Sequence, residues 1–192
     1  FGRPDEVPFH ERCAPGQVRF SEYARTKFEA DRVVEQFAVS HRLPLAILYP
    51  ASVLGPGDTK SSGRYVDDIV HRRLPMAVFS DDVMTWVHVD DVADAIARLL
   101  GRDDAAGARY VVGRHRLTMH QINKLIGEIS GVRAPRLEMP DWMARLTARV
   151  LTGLSTITGR PPLWGLSVDV ARTLAHSIQA DGSRVERDLG LR

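Results

Sequence analysis

Residues 21–58 read SEYARTKFEADRVVEQFAVSHRLPLAILYPASVLGPGD. Two periodicities follow one another in this stretch. From Ser21 to about His41, Ala24, Lys27, Phe28, Val34, Phe37 and Ala38 share one helical stripe with the preceding Phe20. Leu43-Pro44 stops that helix, because proline supplies no backbone donor and restricts the residue before it. Leu45 to Tyr49 is then a continuous apolar run of strand length, the pattern of a strand buried on both faces of a parallel sheet. A long helix feeding a fully buried strand is an α/β unit.

The remainder of the chain continues in the same way. Residues 1–20 carry Pro4, Pro8, Pro15 and Gly16 and read as loop, as does the Gly-rich stretch 52–63. Helix is expected over 64–73 and short strands at 76–79 and 86–89. Asp90 or Asp91 is the expected cap of a helix ending at Leu100. A strand is expected at 109–112, and Thr118-Met119-His120-Gln121 has capping-box spacing for a helix to Gly131. A strand at 137–139 precedes a helix from Pro140 or Asp141, with 152–165 irregular and helices over 167–177 and 183–189.

Composition excludes several classes. The chain has 192 residues, 44% hydrophobic and 26% charged, with a formal charge of +2 and scattered arginines, so nucleic acid is not an expected partner. The single cysteine, Cys13, forms no internal disulfide and lies in a Pro-rich loop with no neighbours that would mark a nucleophile. No apolar run reaches the roughly 18 residues needed to span a bilayer, so the expectation is a cytoplasmic protein without a membrane span.

Tyr23 and Lys27 are the residues with chemistry in them. Positions i and i+4 of a helix lie on one face, so a phenol and an ammonium converge. A neighbouring cation favours a phenolate, which makes such a pair suited to exchanging a proton with a carbonyl or alcohol oxygen. Other signals read as structure. His88 and Asp90 share a strand face but have no third partner spaced for a metal, so no metal site is expected. Gly55-Pro56-Gly57-Asp58 is a turn, since Pro56 removes a donor from any phosphate nest. His115 and His120 are read as surface residues. Trp142, Met143, Leu146, Val150 and Leu151 form an apolar helical stripe, read as core packing or as a lid over an apolar substrate.

Tyr23-x-x-x-Lys27, the strand ending Tyr49-Pro50-Ala51-Ser52-Val53-Leu54-Gly55-Pro56-Gly57-Asp58, and Trp86-Val87-His88-Val89-Asp90-Asp91-Val92-Ala93-Asp94-Ala95 occur in that order. With Tyr110-Val111-Val112-Gly113 and the closing Asp181-Gly182-Ser183, they resemble the extended short-chain dehydrogenase/reductase superfamily, the NAD(P)-dependent epimerase/dehydratase group. The resemblance implies an α/β fold with a Rossmann-type parallel sheet and a small mixed α/β substrate-binding lobe. Residues 1–50 would be the back half of the dinucleotide-binding domain, and 51–192 its remaining strands and helices interleaved with that lobe.

It further implies an NAD(P)-dependent oxidoreductase or epimerase, with NAD or NADP as cofactor and a small-molecule substrate. Tyr23 would be the general acid/base and Lys27 would hold the nicotinamide ribose hydroxyls. Pro50, Ala51, Ser52 and Val53 would lie against the nicotinamide, and Met84 and Trp86 would touch substrate. Met84 stands where sugar-nucleotide members place a phosphate-clamping arginine. That points to substrates other than nucleotide sugars and to members like dihydroflavonol reductases and 3β-hydroxysteroid dehydrogenases, with Arg64 or Arg72 the remaining phosphate candidates. A homodimer through the Tyr23 helix is expected by the same analogy.

The glycine-rich dinucleotide fingerprint of that family is absent, and Phe1-Gly2 resembles residues just after the strand carrying its catalytic Ser or Thr. The chain therefore reads as the back half of an enzyme, expected to be inactive and poorly stable alone because the 45–49 strand would keep an unpaired edge. A rival reading is a non-catalytic nucleotide-binding sensor or scaffold. Such relatives typically lose the Tyr or the Lys, and both are present here.

Overall fold

A computed structural model describes residues 5–17 and 21–191, with the side chain of Ser61 left aside. The expected contribution of Phe20 to the first helix and the reading of Phe1-Gly2 lie outside the described residues. In chain order the elements are α1 (Glu22–His41), β1 (Ile47–Pro50), β2 (Ser52–Leu54), α2 (Ser61–Val70), β3 (Ala77–Val78), β4 (Val83–His88) and α3 (Val89–Leu100). Then come β5 (Arg109–Val112), β6 (His115–Thr118), α4 (Met119–Ser130), β7 (Glu138–Met139), α5 (Asp141–Thr158), a 3-10 turn at Leu163–Gly165, α6 (Val168–Leu174) and α7 (Ser183–Leu189).

The chain forms two compact units, each drawing on separate stretches of sequence. The first comprises Phe1–Val53, Thr85–His115 and Gln179–Arg192; the second comprises Leu54–Met84 and Arg116–Ile178. Both therefore use residues from beyond position 50.

In the first unit β1 and β5 run parallel, with Ile47 opposite Arg109, Leu48 opposite Tyr110, Tyr49 opposite Val111 and Pro50 opposite Val112. Ser21 caps α1, its hydroxyl accepting the Ala24 N–H at 3.1 Å. Arg42, in the left-handed region at φ 53°, closes the helix before Pro44. The inner face of α1 is more polar than its sequence suggests. The Tyr49 hydroxyl donates to Asp31 Oδ2 at 2.8 Å, Glu35 pairs with Arg109, and Ala38 is the one buried residue recorded for the helix. Val87, Ala95, Leu99, Tyr110, Val112, Val185 and Leu189 form the core. The cap of α3 is His88, whose Nδ1 accepts the Asp90 N–H at 3.2 Å. Asp90 and Asp91, expected as caps, instead sit in the first turn, where carboxylates complement the helix dipole.

In the second unit β3 and β7 pair in parallel, and Phe79, Ala144, Ala148, Leu166 and Ala171 form the core. The capping box at Thr118 and Gln121 forms as read, with bonds of 3.1 and 2.8 Å. Two expectations change here. Residues 115–118 are a strand, and α5 continues to Thr158 instead of ending near residue 151. The Thr156 and Thr158 hydroxyls donate to the carbonyls of Thr152 and Leu154, so the Ser/Thr-rich end bonds within the helix. The core side of α5 is Ala144 and Ala148, with Leu151 packed partly buried beside them; of the stripe read as core packing or as a lid, Trp142, Leu146 and Val150 are exposed.

Two half-buried tyrosines should make the fold sensitive to alkali. The Tyr65 hydroxyl donates to Asn123 Oδ1 at 2.6 Å, and burial pushes its pKa up to about 12. Burial and, after it, the Asp31 carboxylate raise Tyr49 well above the ordinary phenol range. An unfolded tyrosine ionises near pH 10. The stabilising effect of keeping these phenols neutral is thus present below about pH 10 and is lost as pH rises from there through the folded values. Denaturant melts at successive pH values should show stability falling above about pH 10, and a shallower fall in Tyr65→Phe.

Candidate active site

The site is built on α1 and the carboxyl end of β1. Along α1, Asp31 meets Tyr49 near the end of the strand, whereas Glu35, one turn later, meets Arg109, which stands opposite Ile47 near its start. The helix is therefore antiparallel to the strand. Lys27 and Tyr23 lie one and two turns N-terminal to Asp31, roughly 6 and 12 Å farther along at 1.5 Å per residue. That carries both past the carboxyl end of β1, where open parallel sheets bind their ligands.

Tyr23 and Lys27 share one face as their spacing requires. The Lys27 ammonium lies 5.6 Å from the centroid of the Tyr23 ring. Tyr23 is 68% exposed and Lys27 is also open to solvent, and Lys27 makes no ion pair among the described residues. Both side chains can reach a ligand on that face without breaking an internal contact.

Pro50 ends β1, Ala51 follows, and Ser52 and Val53 open β2. The Ala51 N–H donates to the Val112 carbonyl at 2.8 Å, which holds this segment against the end of β5. Gly113 follows β5 closely packed. A β-carbon there would stand 2.7 Å from Thr85 Cγ2 and 2.9 Å from Ala51 Cβ, and one at Gly182 would collide with the Gly113 carbonyl. Gly113→Ala should therefore lower stability by about 1–3 kcal/mol in a thermal or denaturant melt, through overpacking at a rigid junction.

The two expected substrate contacts are core positions. Met84, in the second unit, and Trp86, in the first, are each 7% exposed, and Trp86 Nε1 has no hydrogen-bond acceptor among the described residues. The second unit holds a cleft of about 620 Å³ lined by Asp58, Arg64, Asp67, Asp68, Arg73 and Trp164. Its charges are largely paired: Arg73 with Asp67 at 2.7 Å and with Asp68 at 3.3 Å. Asp58 accepts the backbone N–H of Lys60 and of Gly63, which makes the Gly55–Asp58 segment a turn that also borders the cleft. Sequence reading named Arg64 but had no signal for the acidic residues beside it, since a run of charges on a helix ordinarily reads as surface.

Cys13 was expected to stand apart, yet Glu6, His10 and Cys13 converge, with ligand atoms within 4.8 Å of one another. The loop itself accounts for them. His10 Nε2 pairs with Glu6 at 3.1 Å, its Nδ1 accepts the Arg12 N–H, and Cys13 Sγ accepts the His10 N–H.

The NAD dependent epimerase/dehydratase family matches residues 1–113. Sterol demethylase protein B of Methylococcus capsulatus is 30% identical over 175 residues, covering 89% of this chain and 52% of that protein. A candidate dihydroflavonol 4-reductase of Synechocystis is 24% identical over 183 residues, covering 93% and 52%. Among solved structures, UDP-glucose 4-epimerase from Bifidobacterium longum, in complex with NAD+ and UDP, superposes with a TM-score of 0.67 at 17% identity, covering 100% of this chain and 55% of that one. The chain spans about half the length of the curated relatives it matches. The likeness to the solved structure is one of fold, and the Rossmann-type α/β class read from the sequence holds.

Proposed function

The chain belongs to the NAD dependent epimerase/dehydratase family, and on that premise we propose that it carries the proton-transfer half of a nicotinamide-dependent oxidoreductase or epimerase site. The observation that carries this reading is the Tyr23–Lys27 pair, exposed on one face of α1 beyond the carboxyl end of β1.

When bound, NAD or NADP supplies or accepts hydride at a carbon of the substrate. The chain's own residues do the rest. Tyr23 exchanges a proton with the oxygen on that carbon, as donor in reduction and acceptor in oxidation. Lys27 donates to the ribose hydroxyls of the cofactor and keeps a positive charge beside the phenol oxygen as the proton moves. An exposed ammonium without an internal ion pair among the described residues fits the first of these tasks. Pro50, Ala51, Ser52 and Val53 would form the wall on the nicotinamide side, a segment held in place by the Ala51 N–H bond to the Val112 carbonyl.

Met84 and Trp86, as core positions, bear on the substrate only through the residue type at position 84. A methionine offers no charge to a phosphate, which favours an apolar ketone or alcohol over a nucleotide sugar. The names of the Methylococcus and Synechocystis relatives are consistent with that choice. Val33, Val34 and Phe37, all substantially exposed on α1, support pairing of two copies through this helix, which sedimentation velocity would check. The function itself is tested by comparing Tyr23→Phe and Lys27→Ala in the full-length protein, reading turnover and nucleotide affinity separately.

A further inference from the structure

On α1 two cations each stand four residues N-terminal to a carboxylate, and only one of them pairs with it. Arg25 holds Glu29 at 2.8 Å and, on its other side, Glu22 at 2.8 Å. Lys27 has Asp31 at the same spacing, and Asp31 is the one carboxylate three or four residues from it in the sequence. Yet Lys27 makes no ion pair among the described residues, and its recorded contact is with the Tyr23 ring.

Tyr49 accounts for the difference. Its hydroxyl donates to Asp31 Oδ2 at 2.8 Å, and hydrogen bonds to a carboxylate are among the stronger ones. The Arg109 guanidinium donates to the same phenol oxygen at 3.3 Å while it pairs with Glu35. Asp31 and Glu35 are half-buried and bonded to side chains of β1 and β5, whereas Lys27 is exposed. Burial and, after it, the Asp31 carboxylate hold the Tyr49 phenol well above the ordinary phenol range, so this donor is present at every neutral pH.

We propose that Tyr49 is a positioning residue for the nucleotide site: by holding Asp31 against β1 it withholds that carboxylate from Lys27 and leaves the ammonium for the ribose hydroxyls of the cofactor. An exposed ion pair at this spacing adds little to stability, but it would compete with the ligand for the same three donors. Without the Tyr49 hydroxyl, Asp31 loses its partner in β1, and Lys27 is the cation within its reach along the helix. Tyr49 acts through Asp31 and Lys27 and not on the reacting atoms. The inference rests on the assignment of Lys27 to the cofactor made above.

The test uses the full-length protein, reductively methylated with isotope-labelled formaldehyde so that each lysine gives an NMR signal. The Lys27 signal is the one missing from Lys27→Arg. Without nucleotide, this signal is expected to move in Tyr49→Phe and to return to its wild-type position in Tyr49→Phe with Asp31→Asn. Titration of unmethylated protein with NAD+ and with NADP+ should show affinity weakened about two- to fivefold in Tyr49→Phe and restored in the double variant. Loss of a merely structural hydroxyl would not be rescued by removing the carboxylate it binds. Ala30→Glu, at an exposed position three residues from Lys27, leaves Tyr49 in place and should move the signal and weaken binding in the same way. A Lys27 signal that Tyr49→Phe leaves in place overturns the inference, as does weakened binding that Asp31→Asn fails to rescue, or an Ala30→Glu variant without effect. Nucleotide affinity that Lys27→Ala leaves unchanged would overturn the assignment of Lys27 beneath it, and a Lys27 signal that still responds to Tyr49→Phe tells that failure from the others.

Discussion

Tyr23→Phe in the full-length protein is expected to lower kcat by about two to four orders of magnitude, the range for loss of a positioned proton donor. Nicotinamide nucleotide affinity should change by no more than about twofold, because the ring and its position on α1 are kept and only the hydroxyl is removed. Lys27→Ala should behave differently. On the proposed reading the ammonium 5.6 Å from the Tyr23 ring centroid would serve both nucleotide and phenol, so its removal should weaken nucleotide binding and slow turnover together. Steady-state kinetics with a nicotinamide cofactor, alongside nucleotide binding by fluorescence titration, separates the two patterns. Unchanged turnover in Tyr23→Phe would remove Tyr23 from the chemistry. Loss of nucleotide affinity without loss of turnover would make it a binding residue only.

The largest expected effect on stability is at Phe79. This side chain is 2% exposed and forms the second core with Ala144, Ala148, Leu166 and Ala171. The surrounding alanines cannot extend to refill the space, so Phe79→Ala should cost about 3–5 kcal/mol, at the upper end for core truncations. A typical domain has 5–15 kcal/mol in total, so a variant with this loss should show a greatly reduced denaturation midpoint or fail to accumulate. The Arg145 guanidinium, 5.9 Å from the centre of the ring, loses its aromatic neighbour as well. Denaturant unfolding followed by circular dichroism measures the effect. A loss under about 1 kcal/mol would mean that the alanine-lined core collapses around the gap.

The parts of the fold legible in the sequence are those whose signals are local. The first helix declares itself by Ser21 at its start and Pro44 after its end, and α4 by its capping box. The strand at Leu45–Tyr49 shows as an unbroken apolar run, although only Ile47–Pro50 pair in the sheet. The features that were not legible depend on neighbours distant in sequence. Residues 115–118, His-Arg-Leu-Thr, carry neither apolar alternation nor β-branched enrichment, so nothing local marks them as strand. The end of α5 contains Gly153 and a run of Ser and Thr that ordinarily breaks helices. It persists because Ala144 and Ala148 anchor the helix in the core and its hydroxyls bond back to its own carbonyls.

The sequence by itself determined the α/β class, the family, and the pairing of Tyr23 with Lys27, because helical spacing places i and i+4 on one face wherever the helix packs. Only tertiary structure decided which face that is and where it points. Asp31 and Glu35 meet Tyr49 and Arg109, and the spacing of four continued back along the same side of α1 carries Lys27 and Tyr23 beyond the carboxyl end of β1, where both are exposed. The same holds for α5. Its apolar stripe was plain in the sequence and was read as core packing or as a lid. The close approach allowed by Ala144 and Ala148 turned the small side inward, kept Leu151 partly buried beside it and left Trp142, Leu146 and Val150 facing out.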